Sequence, residues 1–127
     1  MTAPVWMNAV IGDFGRAAGA PSLALNGRGA ARLDFENGAS LRLEYTGSEL
    51  VVAVTVPARG GMDALKRLLS HSHPESRDGI RVRTGILERS GAYVAAVRLA
   101  ERDVTLPRLN AAFAALWRLA DEIGGAA

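Results

Sequence analysis

Five runs of period-two patterning divide this chain of 127 residues, and they constrain its fold more than anything else in it. Ala31, Leu33 and Phe35 alternate with Arg32, Asp34 and Glu36; Leu41, Leu43 and Tyr45 alternate with Arg42 and Glu44. Leu50, Val52, Val54 and Val56 form a third row that Pro57 ends. Ile80, Val82, Thr84 and Ile86 make a fourth, with Arg81 and Arg83 between them, and Tyr93, Ala95, Val97 and Leu99 a fifth. A period of two puts one side of each strand on a core and the other toward water. Such half-buried strands need a partner layer, which the helical segments at both ends of the chain can supply.

The connections fix how the strands pair. A two-residue turn at Asn37-Gly38 would set Leu33 against Arg42 and mix apolar with charged side chains on one face, so the loop must be odd in length. Pairing Leu33 with Leu41 through a type I turn and a glycine bulge at Gly38 meets this requirement; so does pairing Leu33 with Leu43, which sets Asp34 against Arg42. Turn chemistry favours the first, which places Arg32 opposite Arg42. The four-residue loop Thr46 to Glu49 pairs Tyr45 with Leu50, Leu43 with Val52 and Leu41 with Val54. An even loop around Glu88-Arg89-Ser90-Gly91 pairs Ile86 with Tyr93 and Val82 with Val97.

Helical spacing frames the strands. From about Ala3 to Ala18, Trp6, Val10, Phe14 and Ala17 recur at helical intervals with Met7 and Ile11 beside them; Thr2 is the expected N-cap, Pro4 suits the first turn, and Gly19 and Pro21 stop the helix. Gly12 and Gly15 each weaken it by about 1 kcal/mol relative to alanine, so packing must hold it. Pro21 to Gly29 reads as a connector. Met62, Leu65 and Leu69, with Leu68 alongside, give a short helix over Met62 to His71 that requires a packing partner. Thr105 is the expected N-cap of a last helix, whose face Leu109, Phe113, Leu116, Ala120 and Ile123 trace before Gly124-Gly125. The sum is a single α+β domain of order αβββαββα, with a twisted antiparallel sheet flanked by helices.

Composition narrows what such a domain does. There is no cysteine, which excludes disulfides, thiolate nucleophiles and cysteine-based metal sites and fits a reducing cytoplasm. Met1 to Gly12 lacks a basic region ahead of its apolar residues, and no apolar run approaches the roughly 18 residues of a membrane span, so neither a signal peptide nor membrane insertion is expected. The formal charge is +2, yet the arginines are scattered among acidic residues and Lys66 is the one lysine, so no nucleic-acid footprint is expected.

Catalytic chemistry is not legible. There is no Gly-x-Ser-x-Gly elbow, phosphate-binding loop or His-Glu-x-x-His helix. His71 and His73 lack a third ligand at a known spacing, Asp34 and Glu36 alternate with arginine on a solvated strand face, and Asp63, Ser70 and His71 are neighbours in sequence without triad geometry. No catalytic residue, metal or cofactor is expected, and a domain of this kind reads as a protein-binding module.

The αβββαββα order, the helix Val5 to Ala18 closed by Gly-Ala-Pro, and the strand pair Leu33-Asp34-Phe35-Glu36-Asn37-Gly38 through Leu41-Arg42-Leu43-Glu44 resemble the class I type III secretion chaperones of Gram-negative bacteria. The likeness spans nearly the whole chain and rests on pattern and element order. Those chaperones are commonly acidic, whereas this chain is formally basic.

The resemblance implies a cytoplasmic homodimer, without ATP turnover, that binds the N-terminal segment of a secreted effector and keeps it export-competent, with components of the secretion apparatus as further partners. It implies a dimer interface on the second helix and fourth strand, here Met62, Leu65, Leu68, Leu69, Ile80, Val82 and Ile86. It also implies an effector surface on the first helix and neighbouring strands, often with a strand added to a sheet edge. The corresponding residues are Val5, Val10, Ile11, Phe14, Leu33, Phe35, Leu41 and Leu43.

Overall fold

A computed structural model of the chain describes residues 2–35, 38–57, 82–86 and 92–124, with the backbone alone given for 86 and 120–124. Helix α1 (Val5–Ala17) leads into β1 (Ala30–Asp34), β2 (Ser40–Tyr45) and β3 (Glu49–Val56); β4 (Val82–Ile86), β5 (Tyr93–Ala100), a 3-10 turn (Glu101–Asp103) and α2 (Leu106–Gly124) follow. The expected helix over Met62 to His71 lies outside the described residues. All neighbouring strands are antiparallel, in the spatial order β1-β2-β3-β5-β4.

The favoured register of the first hairpin and the expected registers of the other two connections are observed. Leu33 faces Leu41, Tyr45 faces Leu50, Leu43 faces Val52, Ile86 faces Tyr93 and Val82 faces Val97. The first hairpin takes the glycine-bulge form: Gly38 has φ +89°, its N–H donates to the Phe35 carbonyl at 3.1 Å, and Phe35 N–H donates to the Ala39 carbonyl at 2.9 Å. At the next turn Thr46 N–H donates to the Glu49 carbonyl at 2.9 Å, and Glu49 N–H returns a bond to Thr46 Oγ1 at 3.1 Å.

These registers gather the apolar rows on one sheet face. Leu41, Leu43, Leu50, Val52, Val54, Val97 and Leu99 are essentially inaccessible there, covered by Met7, Ile11 and Phe14 of α1 and by Leu109, Ala112, Leu116 and Leu119 of α2. The opposite face carries Arg32, Arg42, Arg83 and Arg98 among small residues such as Ala53 and Ala96. On α2 the buried stripe runs through Ala112 and Leu119, turned slightly from the expected one; Phe113 is half-buried at its margin, and the side chains of Ala120 and Ile123 lie outside the described residues. Thr105 caps α2 as expected, its Oγ1 accepting from Arg108 N–H at 3.3 Å.

Thr2 does not cap α1. Its hydroxyl donates instead to the Gly27 carbonyl at 3.2 Å, and Pro4 occupies the cap position, where its carbonyl accepts from Met7 N–H at 3.1 Å. The other end of α1 closes as a Schellman motif around Gly19 at φ +83°: Gly19 N–H donates to Arg16 and Ala20 N–H to Gly15, at 3.3 and 2.6 Å. This return brings Leu23 onto the helix so closely that a Cβ at Gly15 would stand 2.8 Å from that of Leu23. Gly15 is therefore a packing requirement, and its cost in helix propensity is offset by the approach it permits.

Candidate functional site: the flank of the first helix and first strand

The segment from Ala20 to Gly29 runs back along α1 and then turns into β1. Asn8 Oδ1 accepts from Leu25 N–H at 2.8 Å, and the Thr2–Gly27 bond fastens the far end. Asn26 makes the turn: its N–H donates to the Ala30 carbonyl at 2.9 Å, and its Oδ1 accepts from Arg28 and Ala30 N–H at 2.9 and 3.1 Å.

This arrangement leaves a short open sheet edge. Gly29 accepts from Tyr45, and Phe35 donates to Ala39, so the odd-numbered residues of β1 turn their N–H and C=O toward β2 while Ala30, Arg32 and Asp34 turn theirs outward. Asn26 satisfies Ala30. Among the described residues nothing meets the main-chain groups of Arg32 and Asp34. Beside them is a pocket of about 130 Å³ lined by Ala20, Ser22, Leu23, Ala24, Ala31, Arg32 and Leu33. One wall is the β1 edge and the other is the returning loop.

Apolar side chains are also exposed on α1 and at the far end of β1. On α1, Val5 is 88% exposed and Trp6 45%. At the far end of β1, Phe35 enters an aromatic group with α2: its ring lies 4.8 Å from Trp117 edge-on and 6.4 Å from Phe113, which stacks on Trp117 at 5.8 Å and meets Phe14 edge-on at 5.4 Å. Phe35, Phe113 and Trp117 are each half-buried.

The residues expected to receive a partner divide into two groups here. Val5 is exposed, and Val10, Leu33 and Phe35 are half-buried. Ile11, Phe14, Leu41 and Leu43, at 0 to 2% exposure, are interior. They belong to the monomer's own core, because the period that marks an apolar face does not say which part of it a second layer will cover. Trp6 was legible only as part of the α1 stripe; the phase of the helix against α2 turns it outward. Of the expected dimer residues, Met62, Leu65, Leu68, Leu69 and Ile80 lie outside the described residues. Val82 is half-buried and, with Ile86, stands on β4, an edge strand.

Asp34 accepts from Arg32 Nε at 2.8 Å at the surface. Among the described residues no group of three or more His, Asp or Glu could hold a metal ion, and no helix is long and apolar enough to cross a membrane. Tyr45, at the inner end of β2, donates its hydroxyl to the Glu101 carboxylate, and that bond raises its pKa above 10.0, with desolvation and the neighbouring negative charge acting in the same direction. Its place at the other end of β2 makes it a structural tie between β2 and the 3-10 turn.

Comparison with curated protein sequences gives no match. Solved structures do overlay. A chain of the ExsC–ExsE complex does so with a TM-score of 0.74 at 22% identity, over 95% of this chain and 92% of its own. A chain of the HopA1–SchA chaperone–effector complex gives 0.68 at 20% identity over 92% and 91%. A chain of the complex between the Yersinia pestis type III secretion chaperone SycH and a fragment of YscM2 gives 0.70 at 16% identity over 92% and 98%. At such identities the likeness establishes a shared fold. Sequence carries the assignment further: the family model for the type III secretory system chaperone SycN matches residues 6–124, from the first turn of α1 to the end of α2, and the chain belongs to that family.

Proposed function

We propose that the chain is a cytoplasmic chaperone that holds the N-terminal segment of a secreted effector in extended form, and that the flank of α1, the returning loop and β1 receives it. The observations that carry this reading are the outward-turned backbone of Arg32 and Asp34, which nothing among the described residues meets, and the exposed apolar Val5 and Trp6 on α1. The solved proteins of the same fold were captured with partners, ExsE, HopA1 and a fragment of YscM2 among them, which supports the same use of this fold here.

An extended segment laid along β1 would exchange main-chain hydrogen bonds with Arg32 and Asp34, its alternate side chains facing Ala31, Leu33 and Phe35. Backbone bonding is indifferent to sequence, so it supplies register. The apolar anchors supply affinity, at about 25 cal/mol per Å² of apolar area covered. Ordering the segment opposes this by about 1 to 2 kcal/mol per residue, so a few well-covered anchors must dominate, and Trp6 is the largest exposed one. A client bound this way cannot fold or associate through the same residues, which is what export competence requires.

Co-expression with the product of the adjacent open reading frame, followed by titration calorimetry on the purified partner segment, tests the assignment. Val5→Asp and Trp6→Asp should leave the thermal transition unchanged and weaken binding at least tenfold, about 1.4 kcal/mol. Wild-type affinity in both folded variants would remove α1 from the site.

A further inference from the structure

The chain has two Asn-Gly pairs, Asn26-Gly27 and Asn37-Gly38. In such a pair the backbone nitrogen of the glycine can attack the side-chain amide carbon of the asparagine, because no Cβ on the glycine obstructs the approach. The fold treats the two glycine nitrogens differently. Gly38 N–H is engaged, donating to the Phe35 carbonyl at 3.1 Å, whereas among the described residues Gly27 N–H has no acceptor.

The surroundings of Asn26 suit the attack. Asn26, Gly27 and Arg28 are exposed, so water reaches the turn. Asn26 Oδ1 accepts from Arg28 N–H at 2.9 Å and from Ala30 N–H at 3.1 Å. Two fixed backbone donors on one carbonyl oxygen stabilise the negative charge that grows there when the carbon is attacked. Asn26 Nδ2, the group that would leave, has no hydrogen-bond partner among the described residues. Gly27 itself is not at positive φ, and the space around it is open.

We propose that Asn26-Gly27 is a self-modification site of the folded chain. A bond forms from Gly27 N to Asn26 Cγ, the Cγ–Nδ2 bond breaks, and the Gly27 amide proton leaves with Nδ2 as ammonia, giving a cyclic imide. Water then opens the imide. Addition at one carbonyl leaves an aspartate side chain; addition at the other leaves an isoaspartyl link, in which the main chain runs through the former side chain. Only the second product changes the fold. An aspartate keeps an oxygen for Arg28 and Ala30 N–H. The isoaspartyl link adds a main-chain atom at the turn and carries the acceptor away, so Ala30 N–H is released and joins Arg32 and Asp34 on the open edge of β1. The use of that longer edge by a client rests on the proposed function; the chemistry does not.

Peptide mapping by mass spectrometry tests the site on the full chain, folded and without client, after incubation at physiological temperature. Conversion should appear at Asn26 ahead of Asn37, with both products at position 26. Gly27→Ala, which the open space accepts, should keep the circular dichroism and slow conversion about tenfold, equivalent to about 1.4 kcal/mol on the barrier. Amide exchange at Ala30 should be slow in fresh protein and in Asn26→Asp, and fast in the isoaspartyl fraction. An Asn26 that stays intact or converts no faster than Asn37, or an unchanged rate in folded Gly27→Ala, would overturn the site. A protected Ala30 amide in the isoaspartyl fraction would overturn the released edge. Since no client is present, effector binding can fail without touching these results.

Discussion

Arg32 stands directly across from Arg42 in the β1–β2 ladder, yet its guanidinium is turned along its own strand to Asp34, whose carboxylate accepts from Nε at 2.8 Å. The glycine-bulge register, one of the two that the apolar rows allow, brings the like-charged pair together, and Asp34 shields it. Replacing Asp34 with Ser should destabilise the chain by about 0.2 to 1 kcal/mol, the range for a like-charge cross-strand pair. All three side chains are exposed, so the loss should shrink in high salt. Urea unfolding at low and high ionic strength measures it; a loss independent of salt would mean that Asp34 acts through turn geometry.

The two internal glycines of α1 should respond in opposite directions. Gly12 has space, its nearest neighbour for a Cβ being the tip of Arg16 at 3.7 Å, so Gly12→Ala should stabilise by up to about 1 kcal/mol. Gly15→Ala should destabilise by about 1 to 3 kcal/mol, because its Cβ would press on Leu23 and on the Ala20 carbonyl. Thermal melts of the two variants check both signs.

Much of this fold was legible from residue order. A period of two fixes which side of a strand is buried, and loop parity then narrows the register: Tyr45–Leu50 and Val82–Val97 could be paired before any coordinates, whereas for Leu33 parity allowed both Leu41 and Leu43 and turn chemistry favoured Leu41. The candidate site was less legible. Ile11 and Phe14 share the apolar stripe of α1 with Val5, Trp6 and Val10, and only the placement of α2 decides which of them are covered. The open backbone at Arg32 and Asp34 had no sequence signal, since it depends on Asn26 satisfying Ala30 and then releasing the edge.

Phe14 provides a direct contrast with Trp6. At 2% exposure, with Phe113 edge-on against it, Phe14 should cost about 3 to 5 kcal/mol when replaced by Ala and should unfold the chain when replaced by Asp. Trp6→Asp should unfold nothing. Circular dichroism melts separate the two, and an unperturbed transition for Phe14→Asp would contradict the placement of α1 on the sheet.

Tyr45 should titrate late. A phenol whose folded pKa is raised contributes stability that is complete below its unfolded pKa near 10 and fades as pH rises through the folded value. Ultraviolet titration should therefore show Tyr45 ionising above pH 10 in the wild type and closer to 10 in Glu101→Gln. Stability should fall in that alkaline window in the wild type and be flatter there in Tyr45→Phe.

Residue-resolved amide hydrogen exchange, with and without the effector segment, tests the central claim most directly. The outward amides of Arg32 and Asp34 should exchange freely in the chain alone and become protected when the segment is bound, with Leu33, already turned toward β2, changing little. Tight binding that leaves Arg32 and Asp34 unprotected would place the client elsewhere on the molecule and contradict the account.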